Sequence, residues 1–104
     1  MAATPVTPVA GTSIIPTGGT SVVAVPPNPN GGYITNPLTN VDQGISPTVA
    51  EPLYVSPVGP ASQQGNGSTF ALQPGQSWTI IPGQTTPTYV NAVTNGHKFS
   101  VVYF

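Results

Sequence analysis

The sequence predicts an all-β fold: a small antiparallel β-sandwich or barrel of about seven or eight short strands, led by an extended N-terminal arm. Three observations carry this. Thr, Val and Ile supply about a third of the 104 residues while Leu appears three times, which is the alphabet of strands rather than helices. The fourteen prolines leave two long proline-free windows, residues 61–73 and 88–104. The first holds Gly65-Asn66-Gly67 and the second Asn95-Gly96 amid β-branched and aromatic residues, so neither suits a helix. Short β-rich runs also recur between Gly, Pro and Asn punctuation at the spacing of a sandwich or barrel.

The elements follow in chain order, with residues 1–12 as the arm and 13–104 as a single β domain. "TPVTPV" at 4–9 repeats every three residues, the period of polyproline II, which aligns Pro5 with Pro8 and Val6 with Val9. At ~3.1 Å per residue, ten such residues reach roughly 30 Å, enough to lie along a neighbouring molecule. Val6, Val9, Ile14 and Ile15 are therefore the candidate partner contacts. "TSII" at 12–15, "TSVVAV" at 20–25, "YIT" at 33–35 and "LYV" at 53–55 read as strands. Gly18-Gly19, Asn30-Gly31-Gly32 and Gly65-Asn66-Gly67 mark loops or turns between them.

In "ALQPGQSWTIIPGQTTPTYV" at 71–90, each Pro-Gly fits the central positions of a type II turn, Pro presetting φ and Gly accepting the positive φ that follows. The run between them is a strand bounded at both ends, preceded by the strand "STFAL". Alternation puts Trp78 and Ile80 on one side and Ser77, Thr79 and Ile81 on the other, making Trp78 the leading core anchor. In "TYVNAVTNGHKFSVVYF", Asn95-Gly96 suits a type I′ hairpin turn. That register opposes Thr94 to His97, Ala92 to Phe99, Val90 to Val101 and Thr88 to Tyr103 on one face. Val90, Phe99, Val101 and Tyr103 thus join Trp78 and Ile80 as candidate core anchors, and His97 is expected to sit exposed after the turn. "IIPTGGTSVV" and "IIPGQTTPTYV" use one strand-turn device twice, too briefly to be a repeat architecture.

Composition removes most function classes. Charged residues are 3% of the chain, against about 25% in an ordinary domain. They are Asp42, Glu51 and Lys98. One lysine and no arginine cannot neutralise a run of phosphates or hold an anionic membrane, so neither nucleic acid nor membrane is an expected partner. No apolar stretch approaches the ~20 residues of a membrane span. The N-terminus lacks the basic start and apolar core of a secretory signal, which predicts cytoplasmic synthesis. Without cysteine there are no disulfides or thiolate metal sites. A net charge of -1 leaves self-association weakly opposed.

The chemistry-bearing residues are equally sparse. Ser, His97 and Asp42 or Glu51 form no hydrolytic motif, so no catalytic residue is assigned and the chain is expected not to be an enzyme. One His and two separated acids make no transition-metal set, and "NVDQG" lacks the Asp-rich pattern of a calcium loop. No metal or other cofactor is expected. Asn66-Gly67-Ser68 matches a glycosylation sequon but reads better as a hairpin tip. Tyr33, Tyr54, Tyr89 and Trp78 keep open a glycan-binding or adhesin module, although a lone strand Trp is more commonly buried.

"GGYITNP" at 31–37, "AEPLYVSPVGPA" at 50–61 and "GNGSTFALQPGQSWTIIPG" at 65–83 resemble small virion proteins of tailed bacteriophages, of the head decoration or cement class. The likeness spans most of the chain after the arm and is one of short phrases. It implies a compact β domain without an active site, located on the virion. Such a domain binds the outer capsid surface and stabilises contacts between capsomers by noncovalent clamping. The implied partners are the major capsid protein and further copies of the chain, as a homo-oligomer or multicopy lattice. The alternative within a virion is a neck, tail or fibre component.

Overall fold

The computed structural model describes residues 8–11, 13–45 and 49–104. The chain is nearly all-β, with ten strand segments and one four-residue helix among the described residues. The segments are β1 (Val9–Ala10), β2 (Ile14–Ile15), β3 (Val22–Val25), β4 (Gly32–Thr35), α1 (Asn40–Gln43), β5 (Leu53–Ser56), β6 (Phe70–Leu72), β7 (Ser77–Ile80), β8 (Thr88–Asn91), β9 (His97–Lys98) and β10 (Ser100–Tyr103). They form two four-stranded sheets, β1-β10-β4-β7 and β3-β8-β5-β6, and a short β2-β9 ladder. Every pairing is antiparallel.

Alternation builds the core. In the first sheet Val101, Ile34 and Trp78 share one cross-strand row. Ile34, Ile80 and Val101 are buried on this inner side. In the second sheet Val22, Val90, Val55 and Phe70 share a row, and Leu53, Val55, Leu72 and Val90 are buried. One apolar cluster joins the two inner faces with Ile15, Ala92 and Phe99, the layered solution expected of sheets with one apolar face each.

Most connections cross between the sheets, and the two Pro-Gly turns make two of the crossings. Gln76 N–H donates to the Gln73 carbonyl and Gly75 has φ 86°. Gln84 N–H donates to the Ile81 carbonyl and Gly83 has φ 76°. Both match the type II pattern read from sequence. The first carries the chain from β6 in one sheet to β7 in the other, and the second starts it back towards β8. The bounded run is thus the edge strand of its sheet. Its Trp78 ring packs on Phe70 of β6 at 4.5 Å between centroids, closing one seam of the sandwich.

The C-terminal hairpin is corrected. β8 pairs with β3 and β5, whereas β10 pairs with β4 and β1, so the residues opposed in the predicted register lie in different sheets. Gly96 has φ 80°, but Asn95 lacks the positive φ that a type I′ turn demands. The Asn95-Gly96 turn is instead a corner, fixed by Gly96 N–H donating to the Ile15 carbonyl and Gly18 N–H donating to Asn95 Oδ1. Tertiary partners outcompeted the local one.

The N-terminal segment also differs from the predicted arm. Val9 pairs with Tyr103, Ala10 with Val102, Ile14 with Lys98 and Ile15 with His97, all in one register. Phe99 N–H donates to the Ser13 carbonyl in the same frame. β1 and β2 both run beside 97–103, and among the described residues sheet pairing is already present at Val9, before residue 12. Gly11 is required there, because a Cβ would collide with the Ala24 carbonyl oxygen of β3. α1 was not foreseen: Thr39 caps it by accepting from Asp42 N–H, and Gly44 closes it at φ 69°.

Candidate functional site

The two sheets treat their outer faces differently. The outer side of β3-β8-β5-β6 is partly covered by the chain's own 57–69 connection, which leaves Tyr54 and Tyr89 half-buried and Val23 exposed at the β3 edge. Asn91 Nδ2 donates to the Ala61 carbonyl at 2.9 Å, and Ala61 N–H donates to Ser21 Oγ at 2.9 Å. Ser56 Oγ meets Ser68 Oγ at 2.9 Å, while Gln84 Nε2 and Thr86 Oγ1 both donate to the Pro57 carbonyl. Asn91 and Ser56 are consequently buried although their side chains face away from the core. A polar residue can be buried there because each of these atoms has a partner.

The outer side of β1-β10-β4-β7 has no such cover. Cross-strand rows place Val102, Tyr33 and Thr79 together, and Ser100, Thr35 and Ser77 beside them. Tyr33 is 46% exposed, and Thr35 Oγ1 meets Ser77 Oγ at 2.7 Å. Neither row carries a charge. Asp42, Lys98, Glu51 and His97 all lie at the α1-β9 end, where the Lys98 side chain runs against Gly44. The open face is therefore hydroxyl-rich and without charge in these two rows, with Tyr33 and Val102 in one of them.

Of the partner contacts read from sequence, Val9 and Ile14 are exposed at 46% and 38%. Ile14 pairs with Lys98 in the separate β2-β9 ladder. Ile15 is fully buried in the core, which removes it as a surface contact. Val6 lies outside the described residues. Among the core anchors, Ile80, Val90, Phe99 and Val101 are buried. Trp78 and Tyr103 are half-buried and pack against the same cluster.

His97 is not exposed, as its place after the turn suggested, but fully buried. Its Nδ1 lies 2.9 Å from Glu51 Oε1 and its Nε2 lies 2.9 Å from Asn36 Oδ1. The Asn36 amide is oriented by Nδ2 donating to the Glu51 and Leu72 carbonyls, so Oδ1 is the acceptor for His97 Nε2 and Gln43 Nε2. Glu51 also accepts from Thr94 N–H and Thr94 Oγ1. Gln43 completes the set: its Nε2 donates to the Pro37 and Glu51 carbonyls, and its Oε1 accepts from Glu51 N–H. Both imidazole nitrogens are engaged, no cavity opens beside them among the described residues, and the cluster binds the end of β4, α1, the 49–52 segment and the 94–97 corner into one unit. Such a cluster specifies one arrangement of the chain because each member is satisfied only there.

Comparison with known protein families, curated proteins and solved structures returns no match. The functional reading therefore rests on the chain's own residues and the resemblance carried by its short phrases.

Proposed function

We propose that the protein is a structural virion component, a decoration or cement protein that binds the outer capsid surface and stabilises capsomer contacts by noncovalent clamping. The observation that carries this reading is the contrast between a self-covered sheet and an open, uncharged one. A face without charge avoids the cost of burying unpaired charges, and its hydroxyls can be buried where a partner supplies their hydrogen bonds. Tyr33 supplies a rigid amphipathic anchor of the kind enriched at interfaces. β1 is the edge strand of this same sheet, and the segment that leads into it is taken to address the same partner surface. The partners are the major capsid protein and further copies of the chain, without metal, cofactor or catalysis. Many weak contacts repeated across a lattice hold far better than one, because each later contact is effectively intramolecular.

The test is the retention of variant protein on capsids. Deleting residues 2–7 leaves the Val9–Ala10 pairing intact and is expected to lower occupancy without lowering stability. Unchanged occupancy removes the arm from the clamp. Copy number decides position in the virion: hundreds of copies over a shell fit decoration, and a ring of a few copies fits a neck, tail or fibre part. The exposure of Tyr33 on a hydroxyl-rich face also suits a glycan-binding module, a reading that binding to a glycan array would favour over the capsid.

A further inference from the structure

The chain contains three Asn-Gly pairs, at 30–31, 66–67 and 95–96. Asn-Gly is the dipeptide whose asparagine is most prone to lose its side-chain amide, because glycine leaves the following backbone nitrogen unhindered. The reaction needs that nitrogen free to attack Asn Cγ, and the structure withholds it at one site and restrains a second. Gly96 N–H donates to the Ile15 carbonyl at 2.7 Å, and Asn95 Oδ1 is held by Gly18 N–H at 2.7 Å. Asn30 N–H donates to the Phe104 carbonyl and Phe104 N–H to the Gly31 carbonyl, which clamps that peptide from both sides. Gly31 is moreover buried.

Asn66-Gly67 is arranged differently. Both residues are exposed, and among the described residues no atom beyond the chain neighbours lies within 4 Å of where a Gly67 Cβ would stand and no acceptor meets Gly67 N–H. Ser62 Oγ donates to Asn66 Oδ1 at 2.8 Å. That bond withdraws electron density from Cγ and stabilises the oxyanion formed when it is attacked. Thr69 N–H donates to the Asn66 carbonyl and Ser56 Oγ meets Ser68 Oγ, but neither bond engages Gly67 N, the attacking atom.

We propose that Asn66 is a site of spontaneous covalent modification in the folded protein, with Ser62 as the group that activates it. Gly67 N, having lost its proton to solvent, bonds to Asn66 Cγ. The Cγ–Nδ2 bond breaks, and ammonia leaves with a proton from water, giving a five-membered succinimide. Water then adds across one of its two carbonyl–nitrogen bonds and returns an aspartate or an isoaspartate at position 66. No oxidant, metal or enzyme is consumed. The product carries one more negative charge, taking the chain from -1 to twice that, and places it in the loop that covers the second sheet, away from the open face. The sequon at 66–68 is erased in the same step.

The folded protein is incubated in neutral buffer at physiological temperature and sampled over weeks by peptide mass spectrometry, with isoaspartate measured by chromatographic separation of the isomeric peptides. Position 66 is expected to gain one mass unit while 30 and 95 stay unchanged, and denaturant is expected to abolish that selectivity. Ser62→Ala is expected to slow the conversion roughly fivefold, the worth of one neutral hydrogen bond to the reacting group. Conversion at 95 as fast as at 66 in the folded protein overturns the site. A rate at 66 unchanged in Ser62→Ala, with circular dichroism showing the variant folded, overturns the activating role of Ser62. Should Ser62→Ala prove unfolded, Ser62→Thr, which keeps the hydroxyl, decides the same point: its rate is expected to match that of the parent protein.

Discussion

The two outer faces of the sandwich present a controlled comparison. They belong to sheets of the same size, joined through one core, yet one spends its polar groups on its own chain and the other leaves them to solvent. On the covered face Asn91, Ser56 and Gln84 each hold the 57–69 connection or its neighbours. On the open face Thr35 and Ser77 bond only to each other, and Tyr33 stands free at 46% exposure. Stability should therefore be sensitive to the first face and nearly indifferent to the second, while any partner should sense them in the opposite order.

The largest expected loss comes from the seam that both faces depend on. His97→Ala leaves Glu51 and Asn36 facing a void with unmet hydrogen bonds, at a cost of roughly 3 kcal/mol, somewhat below that of breaking a fully buried pair because the Glu51 side chain is 15% exposed. Urea titration at a fixed pH measures it. Asn91→Ala strips partners from the Ala61 carbonyl and the Ala92 N–H and should cost about 2 kcal/mol, with faster proteolysis within residues 57–69. Trp78→Ala opens the far seam against Phe70. Trp78 is only half-buried and its Nε1 has no hydrogen-bond partner, so the loss should fall to about 2 kcal/mol, under the ~3–5 kcal/mol of a fully buried aromatic. Thermal melts by circular dichroism follow both effects, and Trp78 fluorescence follows that of Asn91→Ala, since Trp78 is the chain's one tryptophan. Smallest of all, Thr79→Lys on the open face should move stability by less than about 0.5 kcal/mol, and yet reduce occupancy on capsids.

The Pro-Gly turns were legible because their chemistry is local: a preset φ followed by a positive one needs no distant partner. The strand between them was legible for the same reason, and its alternation put Ile80 on the core side and Ser77 and Thr79 on the opposite side, which in the fold is the open face. The Asn95-Gly96 corner was not, because its outcome depends on Ile15 and Gly18, some 80 residues earlier in the chain. His97 was misplaced for a related reason: Glu51 and Asn36 lie 46 and 61 residues away, and a histidine beside a turn carries no local sign of burial. α1 did leave a signal, since Thr39 and Asp42 have the spacing of an N-cap and the acidic residue of a first turn. Its single turn gave no apolar periodicity to draw attention to it. The covered face was illegible in principle, because alternation marks a residue as facing outward without saying whether the chain will fold back over it.

Trp78 illustrates how the contrast between faces reassigns individual residues. Alternation made it the leading anchor of the core, and it does pack on Phe70 at the sandwich seam. The fully buried members of its row and strand are Ile34 and Ile80, so Trp78 seals an edge rather than filling the centre. The neighbouring outward positions on β7, Ser77 and Thr79, belong to the face proposed to meet the capsid. One strand thus serves both the seam and the surface, held in place by a turn at each end.

The measurement that bears most directly on this account is a reconstruction of the assembled particle at a resolution that places side chains. Tyr33, Val102 and Thr79 are expected against a partner chain, with the 57–69 loop facing solvent. A particle in which the 57–69 loop makes the contact and Tyr33 points to solvent would contradict it.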